Sequence, residues 1–235
     1  MSFDEHIDEL TVANTLHSKF YGRPLPVVQL ENGIAVPANA EYAMCAEITL
    51  DDDLEAPYVD ITGTLDDERI EPVFKIHSIH HRIDPIFHAL IPAEAEHKAL
   101  MGLPRAPTIK TAVSDVTECH DVHMTEGGCG WLSAVVSITP SAPGDGRRAI
   151  DAALAGHRSM KMVTIVNRDI DVSDPVRVEW AMMTRWQPDR DTVILSDQKG
   201  SSLDPSRNPD GTTSKIGYDA TLSPDTDPSP YISVQ

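Results

Sequence analysis

Between about residue 106 and residue 196 the sequence switches repeatedly between strand-like and helix-like patterning, which confines this stretch to a layered α/β arrangement. "DVHMT" and "WLSAVVSI" read as short strands, "GDGRRAIDAALAGH" as a helix, and "MKMVTIVN" as a strand. "DPVRVEWAMMTRW" then reads as a helix with Asp174 as N-cap and Pro175 at its first position, and "DTVIL" as a strand. "GSSLDPS" and "SKIGYDAT", further on, are read as a loop with turn chemistry.

The preceding part is patterned differently. Phe3, Ile7, Leu10, Ala13, Leu16 and Phe20 recur at helical spacing, with Ser2 and Glu5 fitting a capping box and Gly22 and Pro24 ending the run. The spacing predicts an amphipathic helix over residues 1–22. Tyr42, Met44, Ala46, Ile48 and Leu50 alternate with more polar neighbours, a half-buried strand. "ITGTL" and "PVFKIHSIHHR" read as further strands, giving a sheet-rich region over 23–105 and an α/β region over 106–222. The remainder, 223–235, is rich in Pro, Asp and Ser and is expected to be mobile.

The sheet region carries "LEAPYVDITG" (54–63), with two carboxylates, Glu55 and Asp60, either side of Pro57 and directly after Asp51-Asp52-Asp53. On a helix, side chains five apart diverge, and on a regular strand they take opposite faces. Only a bent loop fixed by Pro57 could aim both at one point, so the pair is either two solvated acids or a built acid/base site.

Acidic residues number 37 against 19 basic, a formal net charge of −18. That excess argues against nucleic acid and anionic lipid as partners and suits a protein hydrated in a salt-rich cytoplasm. No apolar run is long enough to span a bilayer, and the acidic start "MSFDEHIDEL" lacks an apolar signal core, so a cytoplasmic protein is expected. Cys45, Cys119 and Cys129 are odd in number and lack CxxC spacing, which indicates neither a disulfide framework nor a zinc knuckle.

His77, His80, His81, His88 and His97 cluster, but on a strand His77 and His81 share one face and His80 the other. Polar strand positions and hydrogen-bonded histidines explain them better than a metal site, and no metal ligand is assigned. "TEGGCGW" lacks the lysine and strand-loop-helix order of a phosphate loop and reads as a hairpin turn. "NRDIDVSDP" has three aspartates but neither the Gly nor the closing Glu of a calcium loop.

Eight collinear stretches together resemble the C-terminal half of the UbiD family, the prenylated-FMN-dependent decarboxylases. They are "VPANAEYAMCAEI", "LEAPYVDITG", "IHHRIDPIFHALIP", "EHKALMGLPRA", "RRAIDAAL", "MVTIVNRDIDVSDPVRVEWAMMTRWQPDRD", "GSSLDPS" and "SKIGYDAT". The resemblance implies part of a split β-barrel flavin-binding domain over 23–105, followed by a smaller α/β domain. It implies a (de)carboxylase of α,β-unsaturated or aromatic acids, with Glu55 in an arginine-linked network and Asp60 delivering the proton that replaces CO2. It further implies Leu100 and Met101 on the substrate pocket and Lys161 at the cofactor phosphate.

Family members are about twice as long, and their N-terminal half holds the catalytic arginine and the ligands of the Mn2+ and K+ at the cofactor phosphate. The capped start at Met1 is read as the beginning of a separate subunit, so the resemblance implies a split enzyme in homo- and hetero-oligomers, with prenylated FMN shared with a second polypeptide. Where the family commonly has Gly, this chain has Ala56 and Val59. That departure motivates the competing reading of a non-catalytic scaffold subunit.

Overall fold

The computed structural model describes residues 8–232. They form two compact units: the residues up to Tyr58 with Asp67–Leu90, and Val59–Asp66 with the residues from Ile91 onward. The sequence reading put its boundary near residue 105; here the acid loop is itself divided, Glu55 falling in the first unit and Asp60 in the second.

In the first unit, helix α1 (Glu9–Tyr21) is capped by Asp8, whose carboxylate accepts from the Leu10 and Thr11 N–H groups. It ends at Gly22, φ +66°, as the sequence suggests. The Ser2–Glu5 capping box lies outside the described residues. Strands β1 (Val27–Gln29) and β2 (Ala35–Pro37) form a small antiparallel pair.

Strands β3 (Tyr42–Glu55) and β4 (Arg69–His81) form a long antiparallel ribbon with no third strand. β3 runs past the alternating stretch through the acidic run, so Glu55 is the last residue of a strand and not part of a bent loop. The pattern breaks after Ile48 because Thr49, Leu50 and Asp51 bulge opposite Val73, beside Pro72, which has no N–H for the ladder. Thr49 Oγ1 secures the bulge by donating to the Val73 carbonyl at 3.1 Å. Among the unit's described residues Cys45 alone is buried, while Ile48, Leu50, Ile70 and Phe74 stand exposed. Among the described residues no closed barrel is formed.

The second unit is built on a five-stranded sheet of order β5-β6-β7-β9-β8: β5 (Glu118–Met124), β6 (Ser133–Thr139), β7 (Met162–Asn167), β8 (Thr192–Lys199) and β9 (Thr212–Ala220). β6, β7 and β9 run parallel, and β5 and β8 are antiparallel edges. The β5–β6 hairpin carries "TEGGCGW" in its turn, as the sequence reading has it. Helix α4 (Asp145–Gly156) packs on one face over Ile109, Val136, Ile138 and Ile165; helix α5 (Pro175–Arg185) packs on the other over Val135, Val166 and Ala220. Asp174 caps α5 as anticipated, accepting from Val176 N at 2.9 Å and Arg177 N at 3.2 Å.

Four stretches depart from the sequence reading. "SKIGYDAT" is a strand, β9, lying between β7 and β8. Its turn-like composition is set by neighbours distant in the sequence: a Cβ at Gly217 would collide with the Ile150 side chain of α4, and buried Lys215 donates to the Arg158 carbonyl. "ITGTL" is no strand but a tight turn, in which Gly63 N donates to Asp60 O at 2.8 Å and a single bridge joins Val59 to Leu65. Helices α2 (Ala95–Gly102) and α3 (Arg105–Ser114) have no clear apolar periodicity in the sequence; Pro107 sits in the first turn of α3, where a missing N–H costs nothing. Of the tail, Ser229–Tyr231 forms a 3-10 turn, and residues 233–235 lie outside the described residues.

Candidate active site

Asp60 is held by the turn it opens. Its backbone N–H donates to Thr64 O at 3.2 Å and its carbonyl accepts from Gly63, whose φ of +76° the turn requires. Ile61, entirely buried, anchors the turn in the second unit. Asp60 as a whole residue is buried, its side chain 12% exposed, and Oδ1 accepts from the Ile61 N–H at 2.5 Å. Such an acid is shielded from bulk water and fixed in direction, as proton transfer to a bound carbon requires.

The structure brings His97, on α2, to Asp60, with Nε2 3.9 Å from Asp60 Oδ1. The sequence reading counted His97 in the histidine cluster; nothing along the chain links it to Asp60. Glu55 ends β3 in the first unit, in register with Arg69 of β4. The two acids are therefore positioned by different elements of different units.

Leu100 and Met101 lie half-buried on α2. A cavity of about 500 Å³ in the second unit takes Lys98, Ala99 and Gly102 from this helix and Leu103 just beyond it instead, facing Val122 and Met124 of β5. Lys161 borders a larger cavity of about 810 Å³, with Val135, Thr164, Val178 and Met182 on its walls. Its Nζ is 2.9 Å from Asp204 Oδ2 and also reaches Ser206 Oγ, both in the "GSSLDPS" loop. Burial pushes the Asp204 carboxyl up, but the hydrogen bonds from Lys161 and Ser206 outweigh it and hold the group below the usual carboxylate range.

The other clustered groups have individual partners. His77 pairs with Glu47 at 3.3 Å and His80 with Glu31 at 3.0 Å, while His81 Nδ1–H donates to the Arg82 carbonyl at 2.8 Å. In the aspartate-rich segment, Asp169 grips the buried Arg185 through both oxygens and Asp171 accepts from Ser173. Among the described residues no group of three or more His, Cys, Asp or Glu side chains is placed to hold a metal ion, and no helix is long and apolar enough to cross a membrane.

Two family profiles cover the chain: the 3-octaprenyl-4-hydroxybenzoate carboxy-lyase Rift-related domain over residues 1–95 and the corresponding C-terminal domain over residues 98–220. The chain is 46% identical over 224 residues to the anhydromevalonate phosphate decarboxylase of Methanocaldococcus jannaschii, covering 94% of this chain and 52% of that protein. It superimposes on the UbiD-class enzyme HmfF from Pelotomaculum thermopropionicum, solved with FMN, with a TM-score of 0.89 at 32% identity, covering all of this chain and 52% of that one. An evolved dimeric form of HmfF, solved with prFMN, gives 0.79 at 29% identity, over 99% of this chain and 52% of that one. The chain thus spans about half the length of the proteins it matches.

Proposed function

Since the chain belongs to the UbiD family, we propose that it provides the C-terminal half of a decarboxylase that removes CO2 from, or adds it to, an α,β-unsaturated or aromatic carboxylic acid. The relatives named anhydromevalonate phosphate decarboxylase favour a phosphorylated acid within that class. The observation carrying the reading is Asp60: a buried carboxylate, fixed by its own turn, at the second acid of the Glu-x-Pro-x-x-Asp segment.

The chain's own residues fit a flavin cofactor in part. Lys161 on the wall of the larger cavity would meet its phosphate, but Asp204 already neutralises that lysine, so further cationic groups must come from elsewhere. When bound, prenylated FMN would supply the electron sink for breaking the bond to CO2. Asp60 donates the proton that takes the place of CO2, Glu55 belongs to the arginine-linked network, and Leu100 and Met101 border the substrate.

The half of the relatives that this chain does not match completes the enzyme and, in this reading, is a second polypeptide that carries the Mn2+ and K+ sites. The need for a covering surface is supported by a ribbon whose Ile48, Leu50, Leu54, Ile70 and Phe74 are each more than half exposed.

The test is anaerobic co-purification of this chain with a polypeptide of that kind, reconstitution with prenylated FMN, and turnover of candidate acids by Asp60→Asn and the unaltered complex. Loss of turnover in the variant supports the assignment. Unchanged turnover, or a chain that neither binds such a partner nor turns over any candidate with it, leaves the scaffold reading in its place.

A further inference from the structure

His97 has one ring nitrogen already committed. The backbone N–H of Ala93 donates to His97 Nδ1 at 3.2 Å, so Nδ1 is an acceptor and the proton of the neutral ring resides on Nε2. Ala93 aims that N–H from a left-handed conformation, φ +60°, which a residue with a side chain seldom adopts. Glu94, the N-cap of α2, offers no side-chain hydrogen bond to the first turn, and the Ala93–His97 contact helps to order this helix start.

The other nitrogen, Nε2, points toward Asp60. At 3.9 Å from Oδ1 it is beyond a direct hydrogen bond and within reach of one bridging water or a small tightening, as is usual for proton-transfer groups before substrate is bound. Both side chains are shielded, 15% and 12% exposed. The turn carrying Asp60 lies against the segment carrying the donor: a Cβ at Gly63 would sit 3.7 Å from that of Ala93.

We propose that His97 is the positioning residue of Asp60, an Nε2–H donor that, with the Ile61 N–H, occupies Oδ1 and leaves Oδ2 as the oxygen that carries and delivers the acid proton. The inference rests on the reading of Asp60 as proton donor. In each cycle the Oδ2–H bond breaks and a C–H bond forms on the product carbon. The resulting carboxylate keeps its Oδ1 contacts, and water returns one proton to Oδ2. A neutral Nε2–H donor stabilises the carboxylate left behind without itself losing a proton.

The decisive measurement is the imidazole 15N spectrum of His97 in the full chain, which reports the tautomer without partner, cofactor or turnover. The expected result is an Nε2–H tautomer whose signals move in Asp60→Ala. An Nδ1–H tautomer, or signals indifferent to Asp60→Ala, overturns the proposal. In the reconstituted complex, His97→Leu should lower kcat about tenfold with KM changed less than about twofold, the scale of a misplaced catalytic group. His97→Gln, which keeps an amide N–H near the place of Nε2, should restore most of that loss. Equal kcat in the Leu and Gln variants also overturns it. Failure of the underlying reading is separate: Asp60→Asn would then turn over normally whatever the state of the His97 ring.

Discussion

His157 offers a test of the second unit's core by acid alone. Its ring stands edge-on to Trp131, centroids 4.5 Å apart, and Nε2–H donates to the Trp131 carbonyl at 2.9 Å. Burial, aided by the Arg105 and Lys215 cations and opposed by the hydrogen bond to Trp131, lowers its pKa from 6.5 to about 4. The unfolded chain therefore takes up a proton near pH 6.5 that the folded chain refuses until about pH 4. Stability from this residue is fully present above pH 6.5 and drains away as the pH falls through that window. At about 1.4 kcal/mol per pH unit the loss totals about 3 kcal/mol, a large share of an ordinary domain's stability.

The assay is urea denaturation from pH 7.5 down to 4 at constant salt, on the unaltered chain and His157→Gln, which keeps a donor for the Trp131 carbonyl but does not titrate. The stability advantage of the unaltered chain should shrink by about 3 kcal/mol across the window. The depressed carboxyls of Asp145, Asp169 and Asp204 cannot imitate this, because both proteins carry them and their losses, which set in below about pH 5, cancel in the difference. Parallel loss in both proteins would refute the claim that burial keeps His157 neutral.

Other perturbations have equally specific outcomes. Gly217→Ala should destabilise the second unit by about 1–3 kcal/mol in thermal melts, because its new methyl meets Ile150. Asp174→Ala removes acceptors from two N–H groups of α5 and should cost about 1 kcal/mol by urea denaturation. Lys161→Met leaves buried Asp204 without its cation, and the Asp204 carboxyl should titrate at higher pH by 13C NMR.

The α/β region is readable in the sequence because its signals are local: Asp174 and Pro175 start α5 in full view, and the Val and Ile runs of β6 and β7 have strand length. β9 is hidden because its character is set by distant neighbours; Gly217 is small on account of Ile150, and Lys215 is buried on account of Arg158. The acid loop is half legible. Its spacing singles out Glu55 and Asp60, but alternation stops at Leu50 where a bulge absorbs Pro72, so the strand's continuation to Glu55 is invisible. His97 reaches Asp60 only through the fold of α2 and its Ala93 contact, which no spacing rule encodes.

The two units also differ in what each can sustain. The second has helices on both faces of its sheet and two clusters of fully buried Ile, Val and Ala side chains, the ordinary basis of an independent fold. The first has one buried residue, Cys45, among those described and a two-stranded ribbon, an arrangement marginal in water however long its strands. Its ladder holds only to the extent that something covers Ile48, Leu50, Ile70 and Phe74. Limited proteolysis of the isolated chain should therefore cut first within 42–81 and leave a resistant fragment beginning near residue 91. Adding the proposed second polypeptide should protect 42–81 while leaving the resistance of the second unit unchanged. Equal resistance of both regions in the isolated chain would mean that the ribbon is stable uncovered, and the argument from its exposed apolar side chains to a partner would fail.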